Sequence, residues 1–141
     1  MKRVLAFDFG ASSGRAILAE YDGGRLICRE VHRFENRPRE QAGHLRWDFS
    51  DLMQNVQRGV EQAGAFDSVG FDTWGVDFGL LDQTGKLLAD PVHYRDGRTA
   101  GMVEAACDRL DADALYAATG SQIMPINTLF QLLAAPKGEP E

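Results

Sequence analysis

The chain has 141 residues, a hydrophobic fraction of 44% and a formal net charge of −6 at pH 7. That length suffices for one compact domain, and the apolar content excludes global disorder. The acidic balance excludes a nucleic-acid binder, which needs a basic face against phosphates. It leaves room for a nucleotide, whose phosphates can be met by backbone N–H groups and Mg²⁺.

No apolar run near the start approaches the length of a bilayer span; Val4 to Phe7 ends at Asp8, so no membrane partner is expected. Cys28 and Cys107 lie far apart without CxxC spacing and read as reduced thiols of a cytoplasmic protein. His32, His44 and His93 show no metal-ligand spacing and read as surface or core histidines.

In chain order, residues 3 to 8 are almost continuously apolar and predict a strand buried on both faces. Gly10 to Gly14 is a turn of small residues, followed by a strand from Arg15 to Tyr21. Asp22-Gly23-Gly24 signals a hairpin into a third strand, Arg25 to Phe34. Glu35 to Gly43, polar and carrying Pro38, reads as a loop, and Leu45 to Trp47 as a short returning strand. Ser50 then caps a helix whose expected apolar face is Leu52, Met53, Val56, Val60 and Ala63, stopped by Gly64.

Further strands are predicted at Asp67 to Thr73 and at Val76 to Leu81, the latter closed by a turn at Asp82 to Gly85. Thr99 is expected to cap a helix with Met102, Val103, Ala106, Cys107 and Leu110 on one face. Asp111 caps a second helix ended by Gly120, and Pro125-Ile126-Asn127 opens a last one that Pro136 closes. Two hairpins force antiparallel pairing, while the helix before the next strand allows a parallel crossover. The pattern predicts an α/β mixed sheet with flanking helices, an order that fits the ribonuclease H-like core of the actin-like ATPases.

Three segments could carry chemistry. In Asp8-Phe9-Gly10-Ala11-Ser12-Ser13-Gly14-Arg15 a strand delivers a carboxylate to its end, and a turn without bulky side chains exposes backbone amides to phosphate oxygens. The serine hydroxyls add donors, Arg15 can fork onto a phosphate, and Asp8 can orient Mg²⁺ or its water shell. The alternative is an ordinary hairpin that Asp8 caps. Neither a P-loop nor a GxGxxG fingerprint is present, and Asp8-Phe9-Gly10 lacks the other protein-kinase segments.

Asp72-Thr73-Trp74-Gly75-Val76-Asp77-Phe78 sits at a strand end, where ligand crevices of parallel sheets open. Gly75 admits close approach, Asp72, Thr73 and Asp77 offer oxygens for hydroxyls, and Trp74 offers an apolar face. That mix suits a sugar; the alternative is a turn with Trp74 in the core. In His93-Tyr94-Arg95-Asp96-Gly97-Arg98-Thr99, Asp96 either pairs with Arg95 or caps the coming helix.

Together these segments resemble the FGGY carbohydrate kinases. Asp8 to Arg15 is similar to that family's first phosphate motif, and its Ala11-Ser12-Ser13-Gly14-Arg15 ending to the rhamnulokinase version. Asp72 to Phe78 resembles the sugar-contacting segment of the same subfamily, and Val31 to Phe34, Trp47-Asp48, Tyr94-Arg95-Asp96, Arg98-Thr99 and Asn127-Thr128-Leu129 are further similar stretches.

The resemblance implies a cytoplasmic enzyme of rhamnose catabolism that uses ATP and Mg²⁺ to phosphorylate the 1-hydroxyl of a sugar, L-rhamnulose. It implies that Ala11, Ser12, Ser13, Gly14 and Arg15 line the ATP phosphate site and that Asp8 sits near Mg²⁺, in a contact made through water. Gly75 would touch the sugar, with Asp77, Thr73 and Trp74 beside it. It further implies that residues 1–141 are a partial N-terminal domain, that the second domain and the catalytic base lie beyond residue 141, and that the piece alone is inactive. A sibling ketose kinase of the fuculokinase or xylulokinase type, an actin-like ATPase switch and a non-catalytic nucleotide-binding module stay open. The polar Gly138 to Glu141 end fits an artificial boundary as well as a natural one.

Overall fold

The computed structural model describes residues 1–135, so the expected stop at Pro136 and the Gly138 to Glu141 tail lie outside the described residues. In chain order the strands are β1 (Lys2–Phe9), β2 (Ser13–Tyr21), β3 (Leu26–Glu35), β4 (Arg39–Gln41), β5 (His44–Arg46) and β6 (Ser68–Asp72). The α-helices are α1 (Phe49–Ala63), α2 (Met102–Cys107), α3 (Ala112–Thr119) and α4 (Thr128–Ala134), with a 3₁₀ turn at Gly97–Thr99. Contacts divide the chain into two compact units, Met1–Pro38 with Asp48–Gly75, and Arg39–Trp47 with Val76–Glu141.

The first unit is a mixed sheet of order β3-β2-β1-β6. β1 pairs antiparallel with β2, β2 antiparallel with β3, and β1 parallel with β6, so α1 serves as the expected crossover. Strand alternation puts Leu5 and Phe7 on the α1 side, where they form a core with Ala16, Leu18 and Ala63. Each large apolar side chain buried there contributes roughly 1.5–3 kcal/mol. The opposite face does not match the expectation of two-sided burial: Val4 is 37% exposed, and the apolar run reflects only one covered face in this chain.

α1 begins earlier than expected. Asp48, not Ser50, is its N-cap, its carboxylate accepting from the Asp51 amide at 2.9 Å. The buried face differs in part: Ala63 is buried and Val56 packs on the core as expected, but Asn55 and Gly59 are buried too, whereas Met53 and Val60 are exposed. The cause is close approach. A Cβ on Gly59 would lie 2.7 Å from the Phe7 ring, so the helix comes nearest the sheet at its smallest residue and turns Met53 and Val60 outward.

In the second unit, Arg39 to Gln41 is a strand rather than loop, paired with β5. The connecting Ala42 and Gly43 have φ of 52° and 81°, the left-handed pair that a tight two-residue hairpin requires. Val76 to Leu81 is not a strand; only Leu81 makes an isolated bridge, to Leu87. Side chains take the place of a ladder there, because the Val76 carbonyl accepts from Thr128 Oγ1 at 2.7 Å and from Gln131 Nε2 at 3.0 Å.

Thr99 lies buried in the 3₁₀ turn and caps nothing; Gly101, with φ of 77°, precedes α2, and Leu110 falls beyond the helix end. Asp111 and Gly120 bound α3 as expected, the carboxylate accepting from the Ala114 amide and the glycine adopting φ of 65°.

Candidate functional site

The turn between β1 and β2 is tighter than the sequence suggests, because β2 already starts at Ser13. Three of its four carbonyls are occupied: the Gly10 amide donates to Ser13 O at 2.9 Å, the Asn36 amide to Ser12 O at 3.0 Å, and Asn36 Nδ2 to Gly10 O at 2.9 Å. Among the described residues, the Ala11 and Ser12 amides and the Ser12 and Ser13 hydroxyls have no hydrogen-bond partner. Ala11 and Ser12 are solvent-exposed. The turn therefore presents donors outward and keeps three carbonyl oxygens occupied, a polarity suited to an anion.

The two turn glycines have structural reasons of their own. A Cβ on Gly14 would sit 2.1 Å from the Phe34 ring, so this buried glycine exists for packing rather than for ligand approach. Neither Gly10 nor Gly14 adopts a left-handed φ.

Asp8 and Arg15 face each other across the first hairpin, in register as Cα partners. Arg15 donates from Nε and Nη2 to Asp8 Oδ2, each at 2.7 Å, with both side chains nearly half exposed. On the other side of β1, Asp8 is in register with Asp72 of β6. Asp72 thus brings a second carboxylate to the same edge, followed along the chain by Thr73, Trp74 and Gly75. Beside Gly75 a Cβ would meet no described atom within 4 Å.

The remaining site candidate, Asp77, belongs to the second unit. Its Oδ2 accepts from Trp47 Nε1 at 2.6 Å and from the Tyr94 amide at 3.3 Å, and its Oδ1 from Gln131 Nε2 at 3.0 Å. Trp47 and Gln131 are almost completely buried. This carboxylate joins the β4–β5 hairpin, the Tyr94 segment and α4.

The His93 to Thr99 segment is resolved in favour of capping. Asp96 accepts from the Arg98 amide at 3.0 Å, and also from the Leu45 amide at 2.7 Å and His44 Nδ1 at 3.0 Å. Burial pushes the Asp96 carboxyl up, but the Leu45 amide, His44 and the Arg98 amide outweigh it and hold the group below its ordinary value. Arg95 instead lies over the Tyr94 ring. His93 is buried between Trp47 and Tyr94, and its Nδ1 accepts from the Arg95 amide at 2.9 Å. Burial lowers its pKa, the Asp77 carboxylate opposing. His32, in the first unit, bonds to the buried Asn55 at 2.9 Å.

Sequence reasoning missed Asn36, Trp47 Nε1 and Gln131 as organisers of these segments. No spacing rule announces a buried polar side chain whose partners lie at a sequence separation of 26 or 54 residues, as those of Asn36 and Gln131 do.

The FGGY family of carbohydrate kinases, N-terminal domain, matches residues 3–139. The rhamnulokinases of Yersinia pestis bv. Antiqua (strain Angola) and Yersinia pseudotuberculosis serotype I (strain IP32953) are each 44% identical over 97% of this chain. The chain spans only 30% of the length of either relative.

Among solved structures, a xylulose kinase from Lactobacillus acidophilus superposes with a TM-score of 0.76 at 18% identity, covering 95% of this chain and 28% of that one. A gluconate kinase from the same organism gives 0.74 at 18% identity, covering 94% and 28%. At such identity the likeness speaks to fold alone, a mixed α/β sheet of the kind these sugar kinases carry. With the match running nearly end to end, the chain belongs to the FGGY family of carbohydrate kinases, as its N-terminal domain.

Proposed function

We propose that this chain supplies the phosphate turn and one sugar-facing wall of an ATP-dependent kinase that phosphorylates the 1-hydroxyl of L-rhamnulose. The observation that carries the reading is the turn from Gly10 to Ser13, with the Gly10, Ser12 and Ser13 carbonyls occupied and the Ala11 and Ser12 amides open. The 44% identity to rhamnulokinases over nearly the whole chain supports the choice of ketose.

In this reading the open amides, the Ser12 and Ser13 hydroxyls and the Arg15 guanidinium hold the phosphates of ATP. Gly14 shapes the turn from behind by admitting Phe34. Phosphoryl transfer depends on positioning and charge stabilisation more than on covalent chemistry, so a rigid ring of donors is the contribution expected of this unit.

Asp8 suits Mg²⁺. Its carboxylate stands at a strand end beside the turn, in register with Asp72, and Mg²⁺ is typically held by one or two carboxylates plus substrate phosphates. Bound there through water, the ion would offset phosphate charge. Gly75, Thr73 and Trp74 line the sugar, while Asp77, in the second unit, orders the Trp47, Tyr94 and Gln131 groups its carboxylate gathers. No catalytic base is assigned within residues 1–141, and these residues alone do not complete a turnover. The ATP requirement points to the cytoplasm as the place of action.

The test is phosphorylation of L-rhamnulose by the full natural polypeptide, with xylulose and fuculose as competitors. Preferred turnover of L-rhamnulose supports the proposal; preference for a competitor moves the substrate to a sibling ketose. ATP hydrolysis indifferent to any sugar would replace the kinase with an ATPase switch.

A further inference from the structure

We infer that Asn36 is a positioning residue for the nucleotide phosphates, acting through the turn rather than touching the ligand. The inference rests on the phosphate-turn reading above and goes beyond it, because Asn36 lies outside every segment that suggested a ligand.

A peptide turn carries both signs of charge. Each outward N–H attracts an anion, and each outward C=O repels it, so a turn binds phosphate well only if its carbonyls are held away. Asn36 follows β3 directly and is 5% exposed. It meets the turn twice: its backbone amide donates to Ser12 O at 3.0 Å, and its side-chain Nδ2 donates to Gly10 O at 2.9 Å. The two carbonyls so held flank Ala11: Gly10 C=O shares its peptide group with the open Ala11 N–H, and Ser12 C=O closes the far side of the turn. The Asn36 side chain therefore fixes the orientation of the peptide group that presents the Ala11 amide.

The side chain matters separately from the backbone. Asn36→Ala keeps the bond from its amide to Ser12 O and removes only the one to Gly10 O. Asn36→Asp preserves shape but sets an acceptor against an acceptor and adds negative charge behind the turn. Neither change touches the β1–β2–β3 ladder, whose Ser13 and Glu35 partners lie in register.

The experiment measures binding of ATP and of adenosine to the full natural polypeptide by calorimetry, for wild type, Asn36→Ala and Asn36→Asp, with a thermal melt of each. The expected result is a loss of ATP affinity of about tenfold or more for Asn36→Ala, a larger one for Asn36→Asp, and adenosine affinity unchanged within about twofold. Equal weakening of ATP and adenosine would reveal general loosening and overturn the inference, as would ATP affinity unmoved by Asn36→Ala. A wild-type protein that binds no ATP would instead remove the functional reading itself, and the inference with it.

Discussion

Arg15 reaches back across the first hairpin to Asp8, its Nε and Nη2 both 2.7 Å from one carboxylate oxygen. The cation proposed for phosphate and the acid proposed for Mg²⁺ thus neutralise each other in this structure. Both side chains are more than two-fifths exposed, and an ion pair in water contributes under about 1 kcal/mol, so it opens readily for a stronger partner.

Arg15→Ala is therefore expected to leave the melting temperature within about 3 °C of wild type while weakening ATP binding severalfold or more. Thermal melting and a nucleotide titration check the two halves. A large fall in melting temperature with unchanged ATP affinity would assign Arg15 to the scaffold.

Gly59→Ala sets two effects against each other. Alanine improves an exposed helix interior by about 1 kcal/mol. Here the new methyl would lie 2.7 Å from the Phe7 ring and 2.9 Å from the Ala16 Cβ, neither of which is a yielding chain end. Overpacking of a filled core costs about 1–3 kcal/mol, so the net expectation is destabilisation, read as a lower denaturant midpoint. A stabilised variant would show that α1 can lift off the sheet at little cost.

Asp96 gathers the Leu45 amide, the His44 ring and the Arg98 amide with a side chain 7% exposed. Asp96→Ala strands those donors and should cost about 1–3 kcal/mol in chemical denaturation. Because the carboxyl is held below its ordinary value, its contribution is present above the unfolded pKa of 3.8 and is lost as pH falls through the lower folded value. The variant should accordingly lose less of its remaining stability in acid than wild type.

His93 gives the corresponding dependence nearer neutrality. Its Nδ1 accepts from the Arg95 amide, so the native imidazole is neutral, and burial lowers its pKa from 6.5. The sign is that stability is full above 6.5 and declines as pH falls from there through the lower folded value. His93→Phe should flatten the slope of melting temperature between pH 7 and 5; an unchanged slope would place that titration elsewhere.

The order of elements and the parallel crossover were legible because they follow from hairpin signals and a helix between strands. Helix ends were less so. Ser50 is as good a cap as Asp48 by composition, and only the observed bond to Asp51 decides between them. The strand expected at Val76 to Leu81 fails because periodicity is silent about Thr128 and Gln131, distant side chains that take the Val76 carbonyl. The tight turn between β1 and β2 was legible as a run of small residues. The reason for Gly14 was not, because it depends on where the Phe34 ring lies.

Every residue of β6 is exposed, with Val69 at 46% and Phe71 at 57%, and β6 is the last strand on its side of the sheet. An uncovered strand rim beside greasy side chains is a template for ladder growth between molecules. Handling of the 141-residue polypeptide by itself is thus limited first by concentration, with mutual repulsion from a net charge of −6 as the opposing force and added salt as the condition that removes it.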